Sequence, residues 1–127
     1  MREIKFRGWH TVRKKMFSAE EMTADQLTLL PTGSFINVSG DSVRLIPLQY
    51  TSLRDKNGKD IYEGDIIQDV QMIKVRKELA IHEIVFVGGS FCMKSAVETI
   101  PIFAHDGNIL DNMEIIGNIY ENEISMV

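Results

Sequence analysis

YTSLRDKNGKDIYEGDII, residues 50–67, is the stretch on which the fold of this chain turns. Asp55-Lys56-Asn57-Gly58 is a hairpin-turn signal. Asn57 and Gly58 tolerate left-handed backbone, and the Asp55 carboxylate reaches an amide two residues on. Tyr62-Glu63-Gly64-Asp65 is a second tight turn with Gly64 at its hinge. It feeds an apolar run, Ile66-Ile67-Gln68-Asp69-Val70, of strand length. Tyr62, Gly64 and Asp65 could line a ligand cleft, but backbone chemistry is the leading account: Gly64 permits the turn, Asp65 satisfies amides, and Tyr62 packs. A calcium loop is excluded, because Gly58 follows Asn57 at once, too early for an EF-hand.

The same punctuation extends in both directions. Residues 2–9 alternate as a strand, with Arg7 and Trp9 on one face. Residues 14–17 resume an extended segment. Between Ser18 and Leu30 two readings stand. Ser18 with Glu21 fits a capping box, and Met22, Gln26, Leu27 and Leu30 could line a short helix, but Leu27-Thr28-Leu29-Leu30 reads equally as a strand. Residues 35–38 and 43–46 read as strands around Ser39-Gly40-Asp41-Ser42, where Gly40 and Asp41 tolerate positive φ, and Pro47 is expected to end the second. Downstream, residues 78–87 form a strand stopped by Gly88-Gly89, followed by residues 91–94. A less regular segment at 100–104 leads to turns at 105–108 and 111–112. Residues 113–120 close the chain as a strand with a bulge at Gly117. The result is a mainly β fold of short antiparallel strands with at most one or two short helices.

The chain has 127 residues, 44% hydrophobic and 25% charged, which suits one domain with its own core, divided into subregions 1–48 and 49–127. Net charge is −4, against the basic face that nucleic-acid binders carry. The single cysteine, Cys92, can form no internal disulfide and no cysteine zinc site. The start, MREIKFRGWH, carries no apolar leader, and no run nears the ~20 residues that span a bilayer. The expectation is a soluble protein of the reducing cytoplasm with no membrane role.

Three blocks of residues together resemble the YopX family, small proteins typical of phages and prophages. Phe6, Arg7 and Trp9 match its first block. Gln49, Tyr50, Thr51, Leu53, Asp55, Gly58, Ile61, Tyr62, Gly64 and Asp65 match its long central block. Gly117, Asn118, Ile119 and Tyr120 match its last. Ser52 stands where the family usually has glycine, so either the turn is reached without positive φ or Ser52 carries strain. The resemblance implies a mainly β fold, a phage or prophage origin, a bacterial host cytoplasm and no established activity. It supplies no catalytic residues. From Gly64 onward the chain is also similar to a partly open, SH3-like barrel.

No catalytic or metal constellation is legible, and no cofactor is implied. His10, His82 and His105 lack metal-ligand spacing, and the His82-Glu83 and His105-Asp106 neighbours point to opposite faces of a strand. Cys92 lies in an apolar run without an activating base. Two basic clusters remain, Arg13-Lys14-Lys15 and Lys74/Arg76/Lys77. Arg7, Trp9, Arg13, Lys14 and Lys15 form a candidate single-strand nucleic-acid surface, with protection of an edge strand by lysines as the alternative account. The leading expectation is a non-enzymatic binding or assembly module. It would pair with a second copy of itself, or with a host or phage protein, through its strand edges.

Overall fold

The computed structural model describes residues 3–102 and 109–122. The fold is mainly β: the described residues hold strands, one short α-helix and two 3-10 turns. The chain divides into two compact units, Ile4–Gln49 and Met1–Glu3 with Tyr50–Val127.

In the first unit β1 (Phe6–His10) and β2 (Lys15–Phe17) form an antiparallel hairpin. His10 Nδ1 accepts the amides of Val12 and Arg13 at its tip, where Lys14 takes a left-handed φ of 55°. Both readings of the next segment are realised in turn. The helix α1 (Ala19–Ala24) starts at Ser18, whose hydroxyl accepts the Glu21 amide while the Glu21 carboxylate accepts the Ser18 amide. This reciprocal cap satisfies two of the orphan donors at the helix start. The chain then reverses at Gln26 and enters β3 (Thr28–Leu29), which pairs with β4 (Phe35–Ile36), itself paired with β5 (Ser42–Val43). In the intervening loop Asn37 does the work, its Oδ1 accepting the amides of Ser39 and Asp41, and only Gly40 takes positive φ.

Pro47 does not end its strand. It sits inside β6 (Leu45–Arg54), opposite Gly8 of β1. The ladder's phase explains why. The Thr11 amide donates to the Arg44 carbonyl, so three steps along the antiparallel ladder the Gly8–Pro47 pair is non-hydrogen-bonded. The imide nitrogen therefore faces away from β1 and no ladder bond is lost. The core of this unit is Phe17, Met22, Phe35 and Leu45. A Cβ at Gly8 would stand 3.0 Å from the Met22 sulfur and 3.3 Å from Leu45 Cβ, so β1 is bare where α1 lies on it.

In the second unit the continuation of β6 pairs with β7 (Asp60–Tyr62). Then β8 (Asp65–Asp69), β9 (Ile81–Val87), β10 (Ser90–Lys94) and β11 (Thr99–Pro101) run as an antiparallel meander. β12 (Met113–Asn118) returns beside β8, giving the order β11-β10-β9-β8-β12. The sheet curls into a half-barrel, open between β11 and β12. Gly88 and Gly89, at φ 59° and 83°, form the two-residue loop of the β9–β10 hairpin. Both positions of a type I′ turn demand that conformation. The β8–β12 register shifts between Ile115 and Gly117, the bulge anticipated there. Lys74 and Lys77 lie exposed on the two 3-10 turns, Met72–Lys74 and Lys77–Leu79, with Arg76 exposed between them, and the turn read at 105–108 lies outside the described residues. Ile61, Ile67, Ile84, Met93 and Leu110 form the core.

Replacing Ser18 by alanine removes one arm of the helix cap and should lower stability by about 1 kcal/mol. Urea unfolding reads this as a lower midpoint at unchanged slope. An unmoved midpoint would mean that Met22 packing alone holds the helix.

Candidate functional site

The central block of the sequence folds onto the last block, and their polar side chains meet backbone. Its first feature is a wide bulge. Tyr50 faces Tyr62 and Arg54 faces Asp60, so three residues of β6 stand against Ile61 alone. Thr51 fills the gap in the ladder: its hydroxyl donates to the Ile61 carbonyl at 2.8 Å and accepts the Leu53 amide at 3.1 Å. Ser52 swings through a φ of 71°, so of the two accounts open for this position strain is the one realised. The buried Tyr50 and Tyr62 rings pack at 5.6 Å. Hydrogen bonding to Tyr50, supported by Asp60 and Glu3, raises the Arg54 pKa above its ordinary value.

Asp55 comes next, fully buried at 0% exposure. Its Oδ1 accepts the Asn57 and Lys59 amides, closing the turn in which Gly58 takes a φ of 80°. Its Oδ2 accepts the Ile115 amide at 3.0 Å, from 60 residues away. Alongside, the Lys56 amide donates to the Met113 carbonyl and the Leu110 amide to the Arg54 carbonyl. A buried carboxylate with three N–H donors is a compensated charge.

Gly64 and Asp65 repeat the device one turn later. Asp65, 1% exposed, accepts the Tyr62 amide at 2.8 Å. Gly64, at φ 86°, donates to the Ile84 carbonyl and accepts from the Ile119 amide. A Cβ here would lie 3.0 Å from the Tyr120 ring, so the ring's seat requires glycine. The register shifts just before Gly117, and the side-chain Oδ1 of Asn118, at the end of β12, accepts the Tyr120 and Glu121 amides.

The basic and aromatic candidates lie on β1, β2 and the turn between them. Phe6 and Gln49 pair across β1 and β6, and Arg7 pairs with Leu48. Trp9 is 7% exposed and Phe17 6%, so neither ring offers a face for base stacking. Arg13 and Lys15 instead cover the Phe17 ring at 5.7 and 4.8 Å, and Lys15 also pairs with Glu21 at 3.2 Å. Lys14 is exposed at the hairpin tip. Among the described residues no group of three His, Cys, Asp or Glu side chains could hold a metal ion. Cys92 is buried, and its sulfur lies 3.8 Å from the Ser90 hydroxyl. No described helix is long and apolar enough to cross a membrane.

The YopX protein family model matches residues 5–124, nearly the whole chain. This chain belongs to the YopX family. The blocks that resemble the family are thus the ones that build the bulge, the two turns and the terminal cap. Among solved structures, the chain is similar to protein EF1440 from Enterococcus faecalis, at 29% identity over 96% of each chain, with a TM-score of 0.60. No curated protein matches it.

Three substitutions separate strain from satisfaction. Ser52→Gly should raise stability by roughly 1 kcal/mol, since relief of the left-handed serine exceeds the entropy glycine adds to the unfolded chain. Asp55→Ala strands three amides and should cost about 3 kcal/mol or more. Asp55→Asn keeps the acceptor for its own turn and should fall between the alanine variant and the native chain. Thermal and urea unfolding rank the three, and an Asp55→Ala variant as stable as the native protein would refute the assigned role.

Proposed function

We propose that this YopX-family chain is a non-enzymatic binding or assembly module, phage- or prophage-encoded and acting in the cytoplasm of a bacterial host. One observation carries the reading. The polar side chains Thr51, Asp55, Asp65 and Asn118 of the central and last family blocks bond backbone groups, whereas the β9–β10 hairpin tip is apolar and open. Phe86 and Val87 are 51% and 53% exposed, and Phe86 is steadied by an edge-on contact with Phe91 at 5.0 Å between ring centres. An apolar, rigid tip suits a protein partner, and a second copy of the chain is the simplest one.

The nucleic-acid reading finds less support. Beside its cations, Arg7, Arg13, Lys14 and Lys15, the rings of Trp9 and Phe17 are buried and leave no open face for a base.

Light scattering coupled to size exclusion tests the assembly reading. The native chain should run as a dimer or larger species in the micromolar range, and Phe86→Asp should shift it toward monomer without unfolding it. A chain that stays monomeric throughout that range, and that co-purifies with no host or phage protein, defeats the proposal. A salt-sensitive mobility shift with mixed single strands would favour the other reading.

A further inference from the structure

We infer that His82 is an acid-sensitive pin in the half-barrel, which seats the start of β9 while neutral and releases it when protonated. The inference does not depend on the proposed function. His82 is only 3% exposed, on the second residue of β9 and directly opposite Ile67 of β8. Strand alternation puts it on the face of Ile84, the core face. Its Nδ1 is buried and makes no hydrogen bond. On the β10 side the register one step beyond Glu83–Lys94 brings Ser95 alongside. The Ser95 hydroxyl is already engaged, accepting the Val97 and Glu98 amides and donating to the Glu98 carbonyl.

Two carboxylates act on the ring from different elements, Asp69 at the end of β8 and Glu98 in the turn after β10. The Asp69 Oδ1 is occupied by the Gln71 and Met72 amides. Glu83 and Lys94, paired across β9 and β10, lie on the opposite face by alternation. In the 3-10 turn before β9, Lys77 is exposed and Glu78 is ion-paired to Arg76 at 2.8 Å. None of these groups is placed to bury a new positive charge at no cost.

Desolvation accordingly lowers the His82 pKa, while the Ala80 backbone and the charges of Asp69 and Glu98 pull it back. The folded state thus favours the neutral ring. Its contribution is complete above the unfolded value of about 6.5. It declines as pH falls from there through the lowered folded value, the interval in which the unfolded chain binds the extra proton. Ordinary carboxylates titrate near 4, so the window from about pH 6.5 to 5 belongs to histidine. An imidazolium at this position must reach water. The opening that allows it loosens the Ile66–Glu83, Ile67–His82 and Gln68–Ile81 pairs.

Urea unfolding of the intact chain between pH 7.5 and 5 tests this, with His82→Gln and the companion His10→Asn. His10, the other described histidine, lies in the first unit on β1 and serves as the control. The native protein and the His10 variant should lose stability on acidification, with a net uptake of protons on unfolding. The His82 variant should lose that part of the slope. Amide exchange at residues 66–68 and 81–83 should quicken over the same interval in the native chain. Equal slopes with and without His82 overturn the inference. Should the glutamine variant fail to fold, the His82 imidazole titration of the native chain by NMR decides: a midpoint below the ordinary value sustains it, and one at or above that value ends it.

Discussion

The second unit hangs on one buried carboxylate. Asp55 has no exposed surface, yet it is an acid, and an uncompensated charge there would oppose folding. Two of its three hydrogen bonds close its own turn, and the third reaches Ile115 in β12. The same oxygen pair therefore fixes a local bend and a long-range docking. That double duty explains why aspartate and not asparagine suits the position. Its two equivalent acceptor oxygens take both sets of amides, whereas an asparagine would turn N–H against N–H on one side.

Around this residue the central and last family blocks form a single arrangement of backbone geometry. Thr51 replaces a missing ladder bond, Gly64 clears a seat for Tyr120, Asp65 ties the turn to Tyr62, and Asn118 caps the chain after β12. These residues are polar, clustered and buried, and the groups they bond are amides and carbonyls of the chain itself. The β9–β10 tip leaves the apolar side chains of Phe86 and Val87 exposed.

What could be read from the sequence was local, and what could not was tertiary. The Asp55–Gly58 turn, the Gly88-Gly89 loop, the Ser18–Glu21 cap and the Gly117 bulge each follow from residues within a few positions of one another. Pro47 was misjudged because its fitness for a strand depends on which way its nitrogen faces, and only the phase of the β1–β6 ladder settles that. The segment after Ser18 looked like a choice between helix and strand because both are present, each too short to dominate the pattern. Trp9 and Arg7 alternate onto one face, but alternation does not say which face another element covers. The reach of Asp55 to Ile115 left no local trace at all, and neither did the lack of a partner at His82 Nδ1.

The span of the Asp55 contact also governs how the second unit holds together. Turns and adjacent hairpins close short loops, so their entropy cost is small, whereas seating β12 against β8 and the Asp55 turn closes a long one. That cost is recovered only when several bonds form at once. The Lys56 amide meets Met113, the Val70 amide meets Asn112, the Ile119 amide meets Gly64, and Asp55 takes Ile115. Fraying of β12 would break these together, rehydrate a carboxylate and bare the glycine under Tyr120. Partial detachment is therefore disfavoured relative to a seated or a fully released strand, and β12 behaves as a cooperative latch on the half-barrel.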